Sequence, residues 1–120
     1  MPPMTLHRVA NDDPAGAVAL LQGAAPRLIF KHSPTCWISR RAFAEVSLFV
    51  DAHPDVPVYL VDVLEQRTLS QQIAEELRIA HASPQVILMA GGAPLWNASH
   101  GGVTVRAITT ALQSLPGASV

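Results

Sequence analysis

An α/β domain, with a mixed sheet of four strands covered by helices on both faces, is the fold class this sequence predicts, and three observations predict it. Apolar runs of strand length alternate along the chain with segments of helical period. The first two strand-like runs are separated by a helix, which makes them parallel neighbours. The last two flank Gly91-Gly92, the strongest hairpin signal in the chain, and are therefore antiparallel. Length agrees, since 120 residues with 49% hydrophobic content suffice for one domain with a substantial core and fall short of two.

Each element has its own signal. Asn11-Asp12-Asp13 caps a short amphipathic helix from Pro14 to Leu21, closed by Gly23, so an N-terminal helix is expected at about 14–22. Arg27 to Lys31 is a short, mostly apolar strand, and the core of the domain is expected over about 26–115. From Cys36 to about Ala52 the residues Ile38, Ala42, Phe43, Val46, Phe49 and Val50 recur at three- and four-residue intervals, and His53-Pro54 stops this longest helix. Val56 to Val63 is rich in β-branched residues and reads as a buried strand despite Pro57. Thr68 to Ile79 carries Leu69, Ile73, Ala74 and Leu77 on one face and Glu75, Glu76 and Arg78 on the other. Gln85 to Ala90 and Pro94 to Ala98 form the hairpin. A last helix begins near Gly102-Val103-Thr104 and runs through Val105, Ile108, Ala111 and Leu112 to Pro116-Gly117.

Composition excludes several classes of function. The net charge is -1, 14% of residues are charged and 5% aromatic, with no run of lysines or arginines, so no nucleic-acid surface is expected. The longest apolar stretches fall well short of the roughly twenty residues a membrane span needs. Met1-Pro2-Pro3-Met4-Thr5 lacks the charged start and apolar stretch of a secretory signal, and one cysteine cannot staple its own chain, so the cytoplasm is the expected compartment. The five histidines show no pair at metal-ligand spacing, and no metal site is expected from them.

That one cysteine, Cys36, follows a strand and a Pro34-containing turn and opens a helix. Unpaired N–H groups and the positive end of the helix dipole there favour thiolate over thiol. A thiolate so placed can displace a partner thiol from a mixed disulfide. Ser39, three residues on, can donate a hydroxyl hydrogen bond to it but cannot resolve the product, so the captured group must pass to an external thiol. Lys31 and His32 could add positive charge, yet neighbouring strand residues point to opposite faces and do not both serve one site. Read without context, Cys36 is equally a small buried apolar residue, Ser39 an ordinary polar residue of a first turn, Lys31 a solvated strand-end charge, and Trp37 a cover for the helix start.

The element order α-β-α-β-α-β-β-α is that of a thioredoxin-like domain, which carries its redox cysteine after the first such strand. Pro84, just before the third strand, stands where that fold places a cis-proline facing the cysteine. Lys31-His32-Ser33-x-Thr35-Cys36-x-Ile38-Ser39, Ala74-Glu75-Glu76-Leu77, His81-x-Ser83-Pro84-Gln85-Val86-Ile87-Leu88 and Ser99-His100 together closely resemble the monothiol bacilliredoxin family of the bacillithiol system. The similarity runs from about Arg27 to Thr104. One departure is clear: the family commonly has Pro immediately after the cysteine, where this chain has Trp37.

The resemblance implies thiol-disulfide exchange that removes bacillithiol from protein cysteines, with thiol-modified client proteins as partners. It implies no tightly bound cofactor, and bacillithiol or another low-molecular-weight thiol as co-substrate. Cys36 is then the catalytic residue, Thr35 and Ser39 stabilise its thiolate, and Trp37, Ser83, Pro84 and Gln85 line the substrate surface. Lys31 joins them by analogy with the lysine before the cysteine in glutaredoxins. His100-Gly101-Gly102 is similar to the glycine-bearing turn with which glutaredoxins hold a small thiol's carboxylate, and bacillithiol carries a malate moiety; read alone, it is a glycine-rich loop. Two rival functions stand beside exchange. One is an iron-sulfur cluster held between two subunits, as in single-cysteine glutaredoxins, which Trp37 would crowd; the other is a non-catalytic thioredoxin-like binding module.

Overall fold

The computed structural model describes residues 6–8, 23 and 25–115, and the helix expected at 14–22 lies outside the described residues. Five strands build one sheet, β1 (Leu6–Arg8), β2 (Arg27–His32), β3 (Val58–Asp62), β4 (Gln85–Ala90) and β5 (Ala93–Ser99), in the spatial order β1-β3-β2-β4-β5. Among the described residues three helices accompany them, α1 (Trp37–Ala52), α2 (Arg67–Leu77) and α3 (Val105–Gln113), with one 3-10 turn at His100–Gly102. The expected four-stranded mixed sheet is thus β2 to β5, with β1 added at its edge. Three residues are too few to show a period, and β1 exists by backbone pairing with β3, Leu6 opposite Val58 and Arg8 opposite Leu60.

Strand directions follow the connections. β2 and β3, joined through α1, are parallel, with Leu28 opposite Val58 and His32 opposite Asp62. β4 runs antiparallel to β2, with Phe30 opposite Val86 and Lys31 opposite Gln85. The β4–β5 hairpin turns through Gly91 and Gly92 at φ 62° and 75°, the left-handed pair that a two-residue type I′ loop demands and that glycine adopts without penalty.

Alternation along β2 and β4 divides the core into two layers. Leu28, Phe30, Val86 and Leu88 face α1 and α3, where they meet Ala42, Val46, Phe49, Val50, Ile108 and Ala111. Ile29, Ile87 and Met89 face the other way and meet Val61 and, from α2, Leu69 and Ile73. Element ends differ slightly from expectation. α2 stops at Leu77 rather than Ile79, because Arg78 turns left-handed at φ 57° and the Ile79 N–H donates back to the Ala74 carbonyl. No helix among the described residues is long and apolar enough to cross a membrane.

Candidate active site

The parallel pair β2 and β3 delivers two loops to one end of the sheet, and the antiparallel β4 starts from that same end. Residues 33–36 after β2, residues 63–66 after β3 and Ser83-Pro84 before β4 therefore meet there. Val63 N–H donates to the His32 carbonyl at 3.0 Å and ties the first two, while His100 N–H donates to the Pro84 carbonyl at 3.0 Å and ties the third to the turn after β5. The Ser83-Pro84 bond is cis, as expected, and since Lys31 pairs with Gln85, Pro84 lies beside His32 at the root of the cysteine turn.

Cys36 sits at the N-cap of α1 rather than inside its first turn. Its backbone is extended at φ −103° and ψ 127°, its N–H donates to the Ser33 carbonyl at 3.1 Å, and its carbonyl takes the first helical bond, from Arg40 N–H at 3.0 Å. The N–H groups of Trp37, Ile38 and Ser39 consequently have no partner within the helix. Neither a side-chain cap nor an acidic residue stands in the first turn, so the positive end of a sixteen-residue helix is left for the sulfur. The thiol is partly exposed and unpaired in any disulfide. Trp37 beside it is 65% exposed, a large apolar surface at the mouth of the site. Thr35 is exposed as well.

Other expected roles move. Ser39 is fully buried, and its hydroxyl is engaged by His32 and Ser33: Oγ lies 2.7 Å from His32 Nδ1 and accepts from Ser33 N–H at 2.9 Å. The direct hydroxyl-to-sulfur bond expected of it is replaced by bonds that hold the turn. Lys31 is neither a surface charge nor part of the thiol's surroundings. It is fully buried on the α2 face, its Nζ 3.2 Å from His81 Nδ1, while Ser70 Oγ lies 3.3 Å from the same nitrogen. Burial pulls the Lys31 ammonium down to about 8, and burial followed by the Lys31 charge lowers His81. Alternation is the physical reason: His32, not Lys31, points to the layer in which α1 packs.

Gln85 shares the Lys31 face. It is buried and donates from Nε2 to the Ala80 carbonyl at 3.1 Å, with Oε1 left unpartnered, so it does not line the site's surface. Ser83 Oγ is likewise buried without a partner, next to the cis bond. His100, Gly101 and Gly102 are exposed, but they form a separate 3-10 turn, and α3 opens later at a Thr104 cap. The left-handed residue in that turn is His100, at φ 54°, not either glycine. Sequence reasoning weighs His32 beside Lys31 only as a source of charge and favours Lys31, although the alternation Leu28, Phe30, His32 marks it as sharing the face of Phe30.

Comparison with known proteins agrees with this geometry. The sequence profile of the monothiol bacilliredoxin family matches residues 10–108. Among solved structures, one described as having a thioredoxin fold is 26% identical at a TM-score of 0.79, covering 89% of this chain and 93% of its own. Thioredoxin O2 from Arabidopsis thaliana (19% identity, TM-score 0.72, 93% of this chain and 96% of that one) shares the fold. So does mitochondrial thioredoxin 3 from Saccharomyces cerevisiae, at 16% identity and a TM-score of 0.72, over 96% of this chain and 100% of the other.

Proposed function

Because the chain belongs to the monothiol bacilliredoxin family, we propose that it removes bacillithiol from bacillithiolated client proteins by exchange at Cys36. The observation that carries this reading is the position of the chain's one cysteine, N-cap of an otherwise uncapped helix whose first turn holds no carboxylate. The Cys36 thiolate attacks the bacillithiol sulfur of the client mixed disulfide. A Cys36–bacillithiol disulfide forms, the client sulfur–sulfur bond breaks, and the client thiolate leaves and takes a proton from water. A second small thiol, as thiolate, then attacks the bacillithiol sulfur and Cys36 departs as thiolate, so one disulfide is exchanged for another at each step. Helix N–H groups stabilise the negative charge spread over the sulfurs in both transition states.

Trp37, next to Cys36, and the cis-proline loop at the same end of the sheet supply the surface against which a client segment rests, and the exposed His100 turn is joined to this loop by its backbone bond to Pro84. The chemistry suits a reducing compartment such as the cytoplasm. Cys36→Ser is expected to abolish release of bacillithiol from a modified protein. Ser39→Ala should slow it by the equivalent of roughly 1 to 3 kcal/mol while leaving a Cys36 adduct detectable by intact mass. Turnover should also require added small thiol. Full activity of Cys36→Ser, or release of the captured group with no external thiol, would overturn the exchange mechanism.

A further inference from the structure

We propose that His32 is a positioning residue for the thiol turn, acting on Cys36 through Ser39; the role rests on the exchange reading above and concerns the same site. A serine hydroxyl has one proton to give and two lone pairs to accept with. At Ser39 one lone pair takes the Ser33 N–H at 2.9 Å, and His32 Nδ1 lies 2.7 Å away on another side. With Nδ1 unprotonated, the hydroxyl proton goes to the imidazole; with Nδ1 protonated, the imidazole donates to the second lone pair. Either way Ser39 Oγ bridges His32 to the amide that opens the turn.

The bridge reaches the sulfur through the backbone. Ser33 is held at its N–H by Ser39, and its carbonyl accepts the Cys36 N–H at 3.1 Å. Both polar groups of one residue are thus fixed, which sets where the helix starts and where the Cys36 side chain leaves it. His32 is held in turn. Its ring packs against both Phe30 and Phe43, with centroids 5.3 and 5.2 Å away, it is 8% exposed, and its carbonyl is bonded by Val63 N–H. Phenylalanine would fill the same space against the two rings but offer Ser39 no nitrogen, leaving its buried hydroxyl with the Ser33 N–H alone and its proton or second lone pair unmet.

That difference separates positioning from packing. The rate of Cys36 alkylation by iodoacetamide, measured across pH on the full chain, involves no bacillithiol and is therefore read independently of the client reaction. His32→Phe is expected to lower the rate at neutral pH by about tenfold, and His32→Asn, whose amide can meet the hydroxyl, to recover most of it. In a Ser39→Ala background His32→Phe should have little further effect, because the bridge is already gone. Wild-type alkylation by His32→Phe, or the same tenfold loss with and without Ser39, would overturn the role. Imidazole nitrogen resonances of the wild type and Ser39→Ala give a second test that needs no histidine variant to fold. The Nδ1 signal should shift on loss of the hydroxyl and the Ser33 amide should exchange faster with solvent; no change in either would likewise overturn it.

Discussion

Lys31 is a cation enclosed in the α2 layer, with a histidine where a carboxylate would be the cheaper neighbour. Its ammonium, ordinarily near 10.5, is lowered by burial to about 8. Between those values the unfolded chain holds a proton that the folded protein has shed, so stability rises with pH through this window. Below about 8 both states hold the proton, and the cost of the buried charge is fully present. His81 acts with the same sign further down: burial and then the Lys31 charge lower it, so the unfolded chain protonates first as pH falls and stability drops again. Lys31→Met should therefore be more stable than the wild type at pH 7, by on the order of 1–3 kcal/mol, with the advantage shrinking towards pH 10. Urea denaturation at both pH values checks this, and an advantage that stayed constant would exclude the buried charge as its source.

At the scale of elements, two helix starts are built to opposite ends. α3 is capped twice: Thr104 Oγ1 accepts from Ala107 N–H at 3.1 Å, and the Glu45 carboxylate, reaching across from α1, accepts from Val105 N–H at 3.0 Å. α1 has neither device, and the groups a cap would occupy are open beside Cys36. Thr104→Ala is expected to cost about 1 kcal/mol, the usual loss of an N-cap, without altering Cys36 alkylation. A urea midpoint together with an iodoacetamide rate decides it, and a change in the rate would mean that the two helix ends are coupled. Elements with strong local chemistry were legible in advance. Gly91-Gly92 marks a hairpin because both positions need positive φ, and His53-Pro54 ends α1 because the residue before proline leaves the helical region. Less legible was the start of α3. The expectation of a start near Gly102-Val103-Thr104 includes the observed cap, Thr104, but nothing local shows that His100–Gly102 turns on its own ahead of it or that Glu45, sixty residues earlier in the chain, supplies the second acceptor.

For the molecule as a whole, β2 and β4 are the structural spine, buried on both faces between the α1–α3 layer and the α2 layer. The site stands at the end of this spine, where the loops that follow β2 and β3 and precede β4 come together. Phe49 anchors α1 in the first layer and is fully buried, so Phe49→Ala should cost about 3 to 5 kcal/mol, transfer and cavity terms together. Thermal unfolding measures the loss. A cost below about 1 kcal/mol would mean that the layer closes over the gap or that Phe49 is not enclosed as described.

By itself the sequence determined the order of elements, the mixed sheet and the cysteine at a helix start, because each depends on local chemistry that neighbours in the chain express, whereas the cis-proline was expected only from the likeness to the thioredoxin-like fold, since an X-Pro bond is locally trans by default. Period, proline and glycine placement, and a motif of contiguous residues need no knowledge of what packs on them. Tertiary structure alone decided which side of the sheet each residue of Lys31-His32 serves. Alternation requires that they part, but nothing within β2 says which layer receives the helix that carries Cys36. Packing of α1 against Leu28 and Phe30 gave the thiol turn His32 as its support and sent Lys31 to His81 and Ser70 on the far side. It also turned Ser39 from the sulfur towards the turn, since a hydroxyl three residues into a helix can bond whatever the fold brings within reach, and here the fold brought an imidazole.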